Sequence, residues 1–306
     1  MIVRKHLNPR IVARIAWKRV TTLLVLSVAV CIAYNHWGAH GLVVDSLPAS
    51  ILGIALAILI GFRINNAYER WWEGRRLWGA IVNDSRSIVR QSMSFFVADN
   101  INGVSEEEAE YEKKVFANRQ IAFVYSLKNH LRRQNDLEEL QSFLPAREFE
   151  TLPAQQNIPN AILLYHANQI ERLREKGMID NFRHMQMDAK LSALCDSMGG
   201  CERIKNTVFP RQYSIYTTSF IAIYSYLLPF IFVQKSGWVA VPFTLLIGFI
   251  FFALDSVARG IENPFENRFN DTPMSALCRT IEINIKQMMK MDDLPEPVQP
   301  VNGFLF

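Results

Sequence analysis

Pro48–Gly79 reads PASILGIALAILIGFRINNAYERWWEGRRLWG, and this stretch decides the fold. It opens as an apolar run, Ala49 to Phe62, and passes without a proline or turn cluster into a charged, tryptophan-rich segment from Arg63 onward. The pattern predicts one helix that leaves a bilayer and continues into water. Ile54, Ile58 and Phe62 recur at i, i+4 and i+8 and so share one helical stripe. Gly53, Ala55, Ala57 and Gly61 fill neighbouring positions, and small residues let helix backbones approach closely in lipid. The larger stripe can then face lipid, a neighbouring helix, or whatever the helices surround.

Composition agrees with a chain divided between membrane and water. Its 306 residues are 50% hydrophobic, with 20 Phe and 6 Trp, and long apolar runs of this kind seldom occur in a soluble domain. The net charge of +4 comes from basic residues at the amino terminus and at membrane edges, which topology explains better than phosphate binding, so no nucleic-acid partner is expected. Cys31, Cys195, Cys201 and Cys278 lack CxxC spacing, which supports neither a zinc site nor a disulfide framework; Cys195 and Cys201 flank a Gly-Gly pair, and buried, reduced thiols are expected there over a redox pair.

Around the decisive stretch the chain divides into five segments. Residues 1–20 carry Arg4, Lys5, Arg10, Arg14, Lys18 and Arg19, and the positive-inside rule places such an end in the cytoplasm. Residues 21–62 hold two spans, Thr21–Tyr34 and the run ending at Phe62, separated by a loop with His36 and His40. Those histidines are four apart, but solvation explains them without a metal. Residues 63–208 contain no crossing and read as a helical cytosolic domain. Its first helix is predicted to reach about Ala98; Ser105 with Glu108 has capping-box spacing, Pro159 suits a helix start, and Asp180 can cap a helix ending at Gly199 and Gly200. Residues 209–258 carry two further spans, Phe209–Val233 and Gly237–Val257, and residues 259–306 a linker, an amphipathic helix with Leu277, Ile281 and Ile285 on one face, and a proline-rich mobile tail.

Enzyme chemistry is not visible. There is no phosphate loop, GxSxG, HExxH or ligand-spaced His/Cys cluster. Asp255 is an acid inside a predicted span and hence a candidate pore or coupling residue, with ion pairing to Arg63, Arg259 or an amino-terminal base as the structural alternative. The run Arg70, Trp71, Trp72, Glu73 and Trp78, like Gly199, Gly200 and Glu202, is read as packing at a membrane exit.

Three blocks, GFRINNAYERWWEGRRLWG, GGCERI (Gly199–Ile204) and ENPFENRFND (Glu262–Asp271), resemble the bestrophin family and its bacterial branch in order and spacing, over nearly the whole chain. The resemblance implies an all-α membrane protein, with four transmembrane helices per chain and a helical cytosolic domain. Five copies would assemble around a central pore in the bacterial inner membrane, with both termini cytoplasmic. It further implies a pore neck of Ile54, Ile58 and Phe62 and a cytosolic aperture at Phe182. Eukaryotic members place aromatic rings at two neck positions, whereas here Ile58 replaces one; bacterial members with an aliphatic neck are associated with cation permeation. The expectation is a sodium-type monovalent cation channel, with a chloride channel or a carrier using Asp255 as alternatives. Of the calcium clasp, Asp271 matches one ligand, but Arg268 stands where another would be and Glu266 is a poor substitute, which implies calcium-independent behaviour and no cofactor.

Overall fold

The computed structural model describes residues 9–98, 104–207 and 209–306, with side chains from Trp17 onward. Arg4 and Lys5 of the basic segment lie outside the described residues. Ten α-helices are present among those described: α1 Pro9–His36, α2 Ser46–Phe95, α3 Glu106–Arg132, α4 Glu138–Gln141, α5 Ala146–Thr151, α6 Ile158–Glu175, α7 Asn181–Asn206, α8 Arg211–Ser236, α9 Ala240–Ile261 and α10 Met274–Met288. No strand occurs among the described residues; Val301 and Phe304 form an isolated bridge.

Two compact units emerge. One, here the apolar unit, lies within Arg4–Trp71 and Val208–Asn263; the other, the helical unit, within Trp72–Thr207 and Pro264–Phe306. The 50-residue α2 contributes its first half to the apolar unit and its second to the helical unit. Its continuity follows from composition, because between Ser50 and Phe95 there is no proline and the four glycines, Gly53, Gly61, Gly74 and Gly79, are spaced widely enough to be carried by their neighbours. Trp17–His36, His40–Phe95 and Arg211–Ile261 are long and apolar enough to cross a membrane, and the last holds α8 and α9 on either side of a 3-10 turn at Gly237–Val239.

In the helical unit α3 is the hub, with both faces buried from Arg119 to Asn129. Local sequence sets its ends: Ser105 Oγ accepts from the Glu108 N–H at 3.1 Å, and Glu106, Glu107 and Glu108 sit at the positive end of the helix dipole. For the later helices the start at Pro159 and the cap at Asp180 also appear, with Asn157 as an additional cap. Asn157 accepts from Asn160 N–H at 3.1 Å ahead of Pro159, and Asp180 accepts from Arg183 N–H at 2.9 Å. Ile281 and Ile285 of α10 are fully buried and Leu277 partly so, as the amphipathic spacing requires.

Two expectations are corrected. Helix α7 does not stop at Gly199 and Gly200 but continues to Asn206. The glycine serves packing instead, since a Cβ on Gly200 would lie 2.9 Å from Leu77 Cδ1 of α2. Likewise the carboxyl-terminal tail is docked: Ala276 N–H donates to Phe306 O at 2.9 Å, and the Phe304 ring tilts onto Phe269 at 5.8 Å.

Candidate functional site

Within the apolar unit α2 has two unlike faces. Ala49, Gly53, Leu56, Ile60, Arg63 and Ala67, spaced alternately by four and three, are all buried. Leu56 and Ile60 pack with Leu23, Ile221 and Phe252, and Ala49 with Leu228 and Ile231. Gly53 lets α8 approach: a Cβ there would lie 2.5 Å from the Tyr224 hydroxyl. The opposite face carries Ile54, Ile58 and Phe62, which are 64%, 55% and 59% exposed. Ala55, Ala57 and Gly61 are exposed beside them. Of the small residues singled out in the sequence, Gly53 therefore makes the close helix contact, whereas Gly61 has open space around it.

One residue past Phe62 the helix turns inward at a charged cluster. Arg63 is 1% exposed, and its guanidinium meets Asp255 Oδ1 at 2.5 Å, Ser214 Oγ at 2.5 Å and Thr218 Oγ1 at 3.2 Å. Thr218 Oγ1 donates to the same Oδ1 at 3.0 Å, while Arg19 at 3.0 Å and Arg259 at 2.5 Å take Oδ2. Oδ1 of Asp255 thus accepts two hydrogen bonds and Oδ2 one, with the Arg259 guanidinium in ionic contact beside it. The Glu262 carboxylate lies 3.8 Å from Arg63 on its other side. The cluster joins α1, α2, α8 and α9 around the fully buried Asp255, which faces three guanidinium groups.

The other predicted positions belong to the helical unit. Phe182, in the first turn of α7, is 81% exposed, with Met185 beside it at 69%. Next to it, Arg183 stacks over Phe95 at 5.5 Å from the ring centroid. Asp271 is buried, and its Oδ2 accepts the backbone N–H groups of Glu266 at 2.6 Å and Arg268 at 3.0 Å. Burial pushes its carboxyl above the usual aspartate range, and those two N–H bonds oppose the shift. The Glu266 side chain pairs instead with Lys205 at 2.7 Å. Among the described residues no group of three or more His, Cys, Asp or Glu is disposed to hold a metal. His40 packs edge-on against Tyr34 at 4.7 Å, and His36 faces Trp238 at 6.3 Å. Of the four thiols, Cys195 is exposed, contrary to the buried expectation; burial pushes those of Cys201 and Cys278 up to about 12, so both stay protonated.

The sequence reading passed over Asn65 and Glu69. Both are exposed on α2, and Asn65 Nδ2 donates to Glu69 Oε1 at 3.1 Å. Continuing the 3.6-residue period past Phe62 was the signal that could have found them.

Comparison with known proteins bears on these faces. The family model for the bacterial and fungal bestrophin protein matches residues 3–287. The chain belongs to that family. Its members form channels and are not enzymes, and this bestrophin is accordingly an all-α membrane protein. A bestrophin homologue of Klebsiella pneumoniae, solved by crystallography, matches with a TM-score of 0.82 at 31% identity, over 89% of this chain and 98% of that one. Among curated relatives, the voltage-dependent anion channel-forming protein YneE of Salmonella typhi is 32% identical over 279 residues, 91% of this chain and 88% of its own length. A voltage-dependent anion channel-forming protein of Ralstonia nicotianae is 29% identical over 94% of each chain.

Proposed function

We propose that this bestrophin is a homopentameric channel of the inner membrane that passes small monovalent ions, its four apolar helices crossing the bilayer and both termini lying in the cytoplasm. The observation that carries the reading is the pairing of a buried and an exposed apolar face on the same turns of α2. The buried face is consumed by α1, α8 and α9 of the same chain, which leaves Ile54, Ile58 and Phe62 to line an axis between copies. Three apolar rings one turn apart, about 6 Å each along the helix, form a constriction that hinders ions by dewetting and opens when the helices move outward. Phe182 forms the second narrowing. The five-segment division (1–20, 21–62, 63–208, 209–258 and 259–306) follows from the same topology.

The permeant ion in this reading is a cation of the sodium type, because Ile58 removes an aromatic ring whose positive edge would favour an anion. Anion conduction is the second reading, favoured by the names of the curated relatives. Calcium independence is supported by the Lys205 partner of Glu266 and by the two backbone N–H groups on Asp271. The carrier reading is the weaker one, since Asp255 is buried among Arg19, Arg63 and Arg259, and we assign it to clamping the helices.

Purified protein in planar bilayers under asymmetric sodium chloride decides the matter. The expected reversal potential has the cation sign, and Ile58→Phe shifts it toward zero. Absence of current from wild type, Ile54→Ala and Ile58→Ala alike would overturn the channel reading, and a reversal potential of anion sign would replace the first reading with the second.

A further inference from the structure

The face that carries the apolar stripe does not end at Phe62. At about 100° per residue, Ile54, Ile58 and Phe62 span an arc of roughly 80°, and Asn65 and Glu69 fall inside that arc at about 20° and 60° from Ile54. Glu69 lies about 10 Å along the axis beyond Phe62, at 1.5 Å per residue. The helix is unbroken between them, so the register holds. Both side chains are exposed. Among the described residues Glu69 forms no ion pair, and the amide of Asn65, one turn earlier, holds its Oε1 at 3.1 Å on the stripe.

The charge nearest the stripe in sequence is handled differently. Arg63 points to the buried face, where Asp255 and Glu262 compensate it, so its cation is withdrawn from the exposed arc. From Ile54 to Glu69 the exposed face therefore carries one ionised group, and it is an acid. We propose that Glu69 is the specificity-determining residue of this channel, its carboxylates forming a ring just inside the apolar neck that concentrates monovalent cations and repels anions. This rests on the reading of α2 as the pore-lining helix. The division of labour is physical: aliphatic rings such as those of Ile54 and Ile58 oppose all ions by dewetting and have little preference of sign, and with no aromatic ring at position 58 the sign is set mainly where a fixed charge faces the ion path. Focusing of this kind raises local counter-ion concentration by about tenfold or more at low salt and is screened as ionic strength rises.

The test compares full-length wild type, Glu69→Gln, Asn65→Asp and Ile58→Ala in planar bilayers under asymmetric sodium chloride, near 0.1 M and near 1 M. Glu69→Gln is expected to lower the cation-to-anion permeability ratio by about tenfold near 0.1 M, with the difference from wild type shrinking near 1 M, where the Debye length is about 3 Å. Asn65→Asp adds a carboxylate to the same arc and should raise the ratio, which keeps the proposal exposed to failure even if Glu69→Gln folds poorly. Unchanged ratios in both variants, alongside altered conductance in Ile58→Ala, would overturn the role of Glu69 and leave the neck intact. A Glu69→Gln shift of equal size near 1 M would also overturn it, as the mark of a changed pore shape and not of a fixed charge. A wild type that carries no current removes the pore-lining reading and this assignment with it.

Discussion

The two faces of α2 in the apolar unit are built from the same residue types and do opposite things. Leu56 and Ile60 are 4% and 2% exposed, while Ile54 and Ile58, two residues earlier in each case, are 64% and 55% exposed. Hydrophobicity cannot separate them. What separates them is that one face finds partners within the chain, ending in the Arg63–Asp255 cluster, and the other stays exposed among the described residues. A residue type thus fixes the environment a side chain tolerates, and the neighbours decide whether it serves stability or function.

That contrast can be broken first at its charged end. Arg63→Ala leaves Asp255 in a buried site with one partner fewer, and removing one member of a buried pair costs about 3–5 kcal/mol. The variant should show a marked fall in thermal stability in detergent, whereas an unchanged melting temperature would mean that the cluster does not hold the helices. Ile60→Ala tests the apolar part of the same face and should cost roughly 2–5 kcal/mol, by loss of packing against Leu23, Ile221 and Phe252. Ile58→Ala, on the other face, is expected to change stability by no more than about 0.5 kcal/mol while altering current. Equal destabilisation by Ile60→Ala and Ile58→Ala would erase the distinction between the faces.

A buried group in the helical unit sharpens the comparison. Arg63 is buried, charged and partnered; His166 is fully buried with neither ring nitrogen bonded, its ring set edge-on to Phe116 at 4.3 Å. Burial, and secondarily the Arg119 cation, hold its pKa well below the ordinary value, so the folded form stays neutral while the unfolded form protonates. The unfolded state then binds the extra proton, and stability present above about pH 6.5 is lost as pH falls below it. His166→Phe should flatten that acid-side slope in melting experiments from pH 7.5 to 5. A slope identical to wild type would exclude His166 as its source.

Much of this was legible in the chain. The break-free passage from Ile51 to Trp78 required one long helix, and Ser105, Pro159 and Asp180 marked helix starts through local geometry and hydrogen bonds that depend on a few adjacent residues. The neck positions followed from period and resemblance together. Gly199 and Gly200 misled because a glycine pair has two uses, ending a helix or admitting a neighbour, and the approach of Leu77 is not written near it. The tail misled in the same way: its proline content suggested mobility, but Phe304 and Phe306 had a surface to dock on.

By itself, then, the sequence determined the class of the molecule, its helix starts and the apolar stripe, because helical period and capping act over a few residues and need no distant partner. Only the tertiary structure decided that Asp255 meets three arginines from three helices, that Gly200 is a packing site, and which apolar face of α2 stays uncovered among the described residues. Those outcomes depend on residues separated by up to 236 positions, whose meeting is fixed by packing and not by any local pattern.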